Sequence, residues 1–179
     1  SWTPHYCAGK GDGGGLQCDR RIGRFGFVLH GLWPEGKGGR GWPQYCAAAP
    51  ILPRRLLAEN FCMTPSVQLM QHEWAKHGTC MASRPQDYFD KARSAYGRIR
   101  MPDMRALAGE KGLTAGRLAD AFVRVNPALR AGMIRVQAAR SGQLSEVWIC
   151  MDMAFAPTRC PVGKAGMPSS ARITIRTGY

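Results

Sequence analysis

Long apolar runs are missing from this chain. Although 45% of its 179 residues are hydrophobic, no stretch approaches the roughly 20 uninterrupted apolar residues of a membrane-spanning helix, so membrane insertion by that route is not expected. Paired CxxC spacings are missing as well. The seven cysteines, Cys7, Cys18, Cys46, Cys62, Cys80, Cys150 and Cys160, are scattered, which disfavours a zinc ribbon and favours disulfides. Seven is a heavy load for a reducing compartment, so an oxidising one is expected, and the odd count leaves one thiol free or paired outside the chain. No leader segment is visible, which fits a mature N-terminus without proving export. There is no internal repeat and no stretch long enough for a domain linker; the length suits one domain, residues 1–179.

Acidic residues are the third scarcity. Twelve Asp and Glu stand against 25 Lys and Arg, a net charge of +13. A field of that sign concentrates polyanions at the surface, which points to RNA, DNA or another polyanion as partner; the competing account is a well-solvated surface.

Residues 8–15 and Gly36–Gly41 read as glycine-rich loops. Between them, Phe25-Gly26-Phe27-Val28-Leu29-His30 is a short apolar run suited to a buried strand, ending at His30 just before the turn residues Gly31 and Pro34. Helices are expected over 53–60, over 66–77 with Ser66 as N-cap, and over 85–97 with Ser83 and Gln86 as a capping box. Another is expected after Thr114, with Leu118, Ala119, Phe122 and Val123 as its buried stripe, closing before Asn126-Pro127. The Arg-rich stretch Arg98–Arg105 reads as a solvated helix face, or as a track for polyanion. The pattern then changes period: 133–139 and 144–151 are strand-like, joined through Ser141-Gly142, and 171–177 alternates again. Helices between strands predict an α+β fold, with a mainly antiparallel sheet packed against several helices.

Only four histidines are present, and two lie in His72-Glu73-Trp74-Ala75-Lys76-His77-Gly78-Thr79-Cys80. On a helix at about 100° per residue, His72, Glu73, Lys76 and His77 fall at roughly 0°, 100°, 40° and 140°, on one face, while Trp74 points away and anchors the helix in the core. An exposed face with one Glu–Lys pair is the plainer alternative. A zinc site built on His72, His77 and Cys80 is conceivable, but the histidines stand at i and i+5 rather than i and i+4, and Lys76 adds charge where a cation would sit. His30, alone, reads as a hydrogen-bonded structural residue. Paired with the second segment, it completes the parts for metal-free cleavage of RNA: one imidazole to take the ribose 2′-OH proton, another to protonate the leaving 5′-oxygen, and cations beside the phosphate.

His30-Gly31-Leu32-Trp33-Pro34 and His72 through Cys80 resemble the two active-site segments of the ribonuclease T2 family. Similarity extends over nearly the whole chain: Ser1–Cys7 resembles the family's opening strand, Asn126-Pro127 a recurring dipeptide, and Leu144–Cys150 with Cys160-Pro161 its late strand and cysteine pair. The resemblance implies a monomeric endoribonuclease, periplasmic or secreted, that acts on single-stranded RNA without metal or other cofactor and spares DNA. It makes His77 the general base and His30 the general acid of the first step, exchanging roles when the 2′,3′-cyclic phosphate is hydrolysed. Lys76 and Glu73 would stabilise the phosphorane, and His72 would bind the phosphate. Trp33 is implied as a stacking platform and Glu35 as an acceptor from a base edge, although a core residue and a solvated loop charge are equally simple readings. His5 is taken as structural. Cys46–Cys80 and Cys150–Cys160 fit the family's pattern, and Cys7–Cys18 is a local pair that leaves Cys62 over; Cys18–Cys62 with Cys7 free is the alternative. A non-catalytic RNA-binding module on the same fold, or a zinc-dependent hydrolase, are the rival functions.

Overall fold

The computed structural model describes residues 1–36, 41–161 and 166–178; the loop expected over Gly36–Gly41 lies largely outside them. Among these, the elements run α1 (Thr3–Tyr6), α2 (Arg54–Asn60), α3 (Val67–Lys76), α4 (Pro85–Gly97), α5 (Met104–Ala108), α6 (Ala115–Val125), β1 (Ile134–Ala138) and β2 (Leu144–Ile149), with short 3₁₀ turns at Gly11–Gly14, Gly78–Cys80 and Ala131–Met133. The fold is α+β, its sheet a two-stranded antiparallel hairpin.

Two side-chain oxygens start helices as the sequence suggests. Ser66 Oγ accepts from the Leu69 amide and Thr114 Oγ1 from the Arg117 amide, satisfying amide groups that a helix N-terminus otherwise leaves bare. The capping box at Ser83 does not form. Pro85 occupies the first helical position and forces its predecessor into extended backbone, so Arg84 becomes the N-cap without a side-chain cap; its guanidinium pairs with Asp87 instead. Arg98–Arg105 is not one helix face either: α4 ends at Gly97, and α5 begins only after Asp103, whose carboxylate caps Arg105 and Ala106.

Three expected strands form no ladder: the opening segment turns into helix α1 after Trp2, and 25–30 and 171–177 are extended but pair only through isolated bridges. At the N-terminus, Pro4 sits in the first turn of α1, so only Trp2 bridges antiparallel to Phe27. The run 25–30 is held by that bridge, by Val28 donating to the Ser1 carbonyl and by Leu29 donating to the Met63 carbonyl. Segment 171–177 divides its pairing between Thr114↔Arg172 and Gln143↔Thr174. Its alternation is real, since Ile173 and Ile175 are buried, but no single neighbour runs beside it for long enough to make a strand.

Two hydrophobic clusters result. One gathers α6, the hairpin, Trp2, Ile173 and Ile175; the other gathers Leu52, Leu56, Met63, Met70, Trp74, Tyr88 and Phe89 from α2, α3, α4 and their connections. The segment 27–32 joins them: Phe27 packs against the first, and Leu29 and Leu32 against the second. His30 therefore sits at the seam between two cores, in reach of α3 from one side and β2 from the other.

The hairpin carries one irregularity that matters for the site. The register runs Ile134↔Ile149 to Gln137↔Glu146, then steps to Ala138↔Leu144, which leaves Ser145 as an extra residue. A bulge of one residue reverses the facing of everything beyond it. Leu144, Val147 and Ile149 can therefore all meet the same core, while Glu146 and Trp148 face the other way. Disulfides join Cys7 to Cys18, Cys46 to Cys80 and Cys150 to Cys160, with Cα–Cα separations of 5.4, 5.0 and 5.2 Å. Cys62 is free and exposed.

Candidate active site

The site is assembled around His30. Its Nδ1 lies 2.7 Å from Glu146 Oε1 on β2, and its Nε2 lies 3.5 Å from Glu73 Oε1 on α3. Each carboxylate also holds a tryptophan: Trp148 Nε1 donates to Glu146 Oε2, and Trp33 Nε1 to Glu73 Oε2, both at 2.7 Å. Ser1 Oγ donates to Glu146 Oε1 at 2.8 Å. Hydrogen bonds to the ionised form are charge-assisted, and three converging donors hold such a group in place.

The environments push the two acids apart. Glu73 is only 3% exposed, and that burial raises its pKa above the ordinary value against the Trp33 hydrogen bond and the nearby charges of His30, His72 and Lys76. Burial also pushes Glu146 upward, but hydrogen bonds from His30, Trp148 and Ser1, with the charge of His30, outweigh it and hold this carboxyl at about 2. Glu146 is thus an ion and an acceptor only.

Glu73 can come this close because residue 31 is glycine. A β-carbon there would overlap Glu73 Oε2 and stand 2.8 Å from its Cδ. Leu32, next in the chain, is fixed by the Tyr88 hydroxyl, which accepts from the Leu32 amide and donates to the Leu32 carbonyl.

His77 reaches the site in a way the helical projection does not anticipate. The expected helix over 66–77 stops at Lys76, and His77 is its C-cap, with φ −116° and its amide bonded to the Glu73 carbonyl. It turns inward and is 4% exposed, whereas His72 is exposed. Burial lowers the His77 pKa, the charges of Lys76, His72 and His30 lower it further, and the Pro43 carbonyl opposes them. Its Nδ1 has no hydrogen-bond partner among the described residues. Gly78 permits the turn, since a side chain there would run into Trp74 and Tyr88. Trp74 itself is buried against Tyr88, with ring centroids 6.0 Å apart.

An aromatic wall stands beside the two imidazoles. The Trp33 ring centroid lies 5.0 Å from that of His30, 6.0 Å from His77, 5.2 Å from Trp148 and 6.4 Å from the exposed Trp42. The Trp42 segment is drawn to α3 by the Tyr45 amide on the Lys76 carbonyl (2.8 Å) and by the Cys46–Cys80 disulfide. Glu35, two residues after Trp33 in the chain, is exposed. His5 is half-buried, 3.3 Å from Gln143 Oε1 and outside this group. The conceivable zinc set is not available, because Cys80 is bonded to Cys46. Among the described residues no three or more His, Cys, Asp and Glu side chains are arranged to hold a metal ion.

The site therefore brings together His30, Glu73, Lys76, His77 and Trp33 from the two expected segments. It adds Glu146, Trp148 and Trp42, which sequence reading missed. The signal for Glu146 was present: in Leu144-Ser145-Glu146-Val147-Trp148-Ile149 the apolar alternation changes phase between Leu144 and Val147, which marks a bulge and a carboxylate turned from the core.

Comparison with known proteins identifies the family and the fold. The model of the ribonuclease T2 family matches residues 1–160. A Haemophilus influenzae protein named as a probable ribonuclease is 30% identical over 172 residues, covering 89% of this chain and 58% of its own length. A ribonuclease of Aeromonas hydrophila is 40% identical over 93 residues, 51% of this chain and 40% of its own. The chain thus spans about half the length of these relatives. Among solved structures, trichomaglin, described as an S-like ribonuclease, superposes with a TM-score of 0.71 at 19% identity, over 97% of this chain and 92% of that one. RNase NT, solved in complex with 5′-AMP, gives 0.62 at 23% identity over 83% and 82%. Both show a shared fold.

Proposed function

The chain belongs to the ribonuclease T2 family, and from that premise we propose that it is an endoribonuclease that cleaves single-stranded RNA by transphosphorylation. The observation that carries the reading is the pair of imidazoles, His30 and His77, both packed on Trp33 with ring centroids 5.0 and 6.0 Å away, with Glu73 beside His30. In the first step neutral His77 takes the 2′-OH proton as the 2′-oxygen attacks phosphorus. His30 gives a proton to the departing 5′-oxygen, leaving a 2′,3′-cyclic phosphate. In the second step His30 takes a proton from water, the water oxygen adds to phosphorus, and His77 returns its proton to the 2′-oxygen, leaving a 3′-phosphate.

Burial of His77 supports its part as base, because a lowered pKa keeps the imidazole neutral into mildly acidic solution. Lys76 supplies positive charge for the phosphorane oxygens. Glu73, raised by burial, is suited to donate to one of them when protonated. His72, which is exposed, is assigned the binding of a phosphate. Trp33 offers a ring face for stacking and Glu35 an acceptor for a base edge. DNA lacks the 2′-OH nucleophile and is spared. Three disulfides and the net charge of +13 suit an exported, periplasmic or secreted monomer working on a polyanion; no helix among the described residues is long and apolar enough to cross a membrane. The test is digestion of a homopolymer RNA and its DNA counterpart in chelator. RNA converted to cyclic-phosphate ends, with DNA intact, supports the reading. Activity that requires metal, or binding without cleavage, overturns it.

A further inference from the structure

We propose that Glu146 is the positioning residue of His30: its carboxylate holds the proton of the neutral imidazole on Nδ1 and so keeps Nε2 as the nitrogen that exchanges protons with substrate. The proposal rests on the reading of His30 as an acid–base group, and it adds a residue from a third part of the chain. Glu146 Oε1 is 2.7 Å from His30 Nδ1. A carboxylate at about 2 accepts and cannot donate, so the proton between the two atoms belongs to Nδ1. The other ring nitrogen, Nε2, then points toward Glu73 and the side of the ring where α3 brings Lys76 and His77.

The arrangement is built rather than incidental. The Ser145 bulge turns Glu146 from the core face of β2 to the site face. Trp148 Nε1 fills Oε2, and Ser1 Oγ shares Oε1, so the carboxylate has no rotation that keeps both of these donors and releases His30. A glutamine cannot replace it. One end of the amide accepts but the other donates, and that donor would confront either the His30 N–H or the Trp148 N–H. Loss of an orienting carboxylate leaves the imidazole present but in the wrong tautomer for part of the time, a defect of turnover rather than of binding.

The experiment compares wild type, Glu146→Gln, Glu146→Asp and His30→Ala on a homopolymer RNA, and reads the ring nitrogens of His30 by ¹⁵N NMR in the wild type. We expect Glu146→Gln to lower kcat roughly 10- to 100-fold with KM within about twofold, and Glu146→Asp, which keeps the charge, to recover part of that loss. The wild-type spectrum should show neutral His30 protonated on Nδ1. A wild-type enzyme that cleaves RNA while Glu146→Gln matches it in kcat overturns the proposal, as does neutral His30 protonated on Nε2. The spectrum needs neither catalysis nor a folded variant. A wild type that shows the Nδ1 form but cleaves no RNA would sink the functional reading and leave the placement of His30 standing.

Discussion

Replacing Gly31 by alanine adds one methyl group at the most crowded point of the site. The backbone of residue 31 is not in the left-handed region, so the effect is purely steric. The new β-carbon would overlap Glu73 Oε2 and lie 2.8 Å from Cδ, whereas carbon atoms rest at about 3.5–4.0 Å. Glu73 must therefore retreat by roughly 0.7 Å or more, and the retreat stretches its 2.7 Å bond from Trp33. Overpacking costs about 1–3 kcal/mol, and a weakened hydrogen bond to a charged group costs up to about 1.5–3 kcal/mol. A total of about 1–6 kcal/mol corresponds to a Tm lower by roughly 2–24 °C for a chain of this size. Activity should fall further than stability, because the displaced carboxylate borders His30 Nε2, and a misplacement on the order of 1 Å costs about 100-fold. Thermal unfolding and kcat/KM on single-stranded RNA, measured on the same preparation, check both numbers. A Gly31→Ala protein with wild-type Tm and wild-type kcat/KM would refute the claim that this contact sets the position of Glu73.

Acid should unfold the protein in two windows. Folded His77 has a lowered pKa, so its neutral state is fully stabilising above about 6.5 and that contribution is lost as pH falls below it. Glu146, held at about 2, contributes stability above its ordinary value of 4.5 that disappears as pH falls toward 2. Urea unfolding across pH should show both slopes, the second of them shallower in Glu146→Gln, since Asp19 and Asp87, held low by Arg21 and Arg84, still contribute to it. Asn126→Ala should cost about 2–4 kcal/mol, read as a lower urea midpoint, because this buried amide donates to the Arg100 and Phe122 carbonyls and accepts from the Arg100 amide, tying α6 to the chain after α4. Removing both Cys46 and Cys80, 34 residues apart, should cost roughly 3–4 kcal/mol. It should also raise KM for RNA more than loss of Cys150–Cys160 does, because it frees the Trp42 segment from α3.

Much of this site was legible from residue types and spacing, because the chemistry is concentrated in two short segments. The pattern of α3 gives its start at Ser66, its buried Trp74 and the proximity of Glu73, Lys76 and His77. It does not give the end of the helix. His77 leaves the helical path at a C-cap that is set by tertiary packing around Gly78, where Trp74 and Tyr88 crowd the backbone. The strands at the two ends were over-read for a related reason. Alternation in 171–177 reports which side chains are buried, and Ile173 and Ile175 are, but a ladder also needs a neighbour of matching length. Pro4 shows the reverse case, a local constraint that overrides an apolar opening and makes a helix turn. Glu146 stayed hidden because its role depends on a one-residue bulge, and period-two reading assumes there is none.

In the proposed mechanism His77 opens the reaction by taking a proton from the ribose. This step is tested most directly by incubating a single-stranded homopolymer RNA with wild type and with His77→Ala, in chelator, and resolving the 2′,3′-cyclic phosphate products over time. With wild type, cyclic phosphate should accumulate and then give way to 3′-phosphate, and with His77→Ala the rate should fall by about 10²–10⁴. Full activity of His77→Ala would contradict this role.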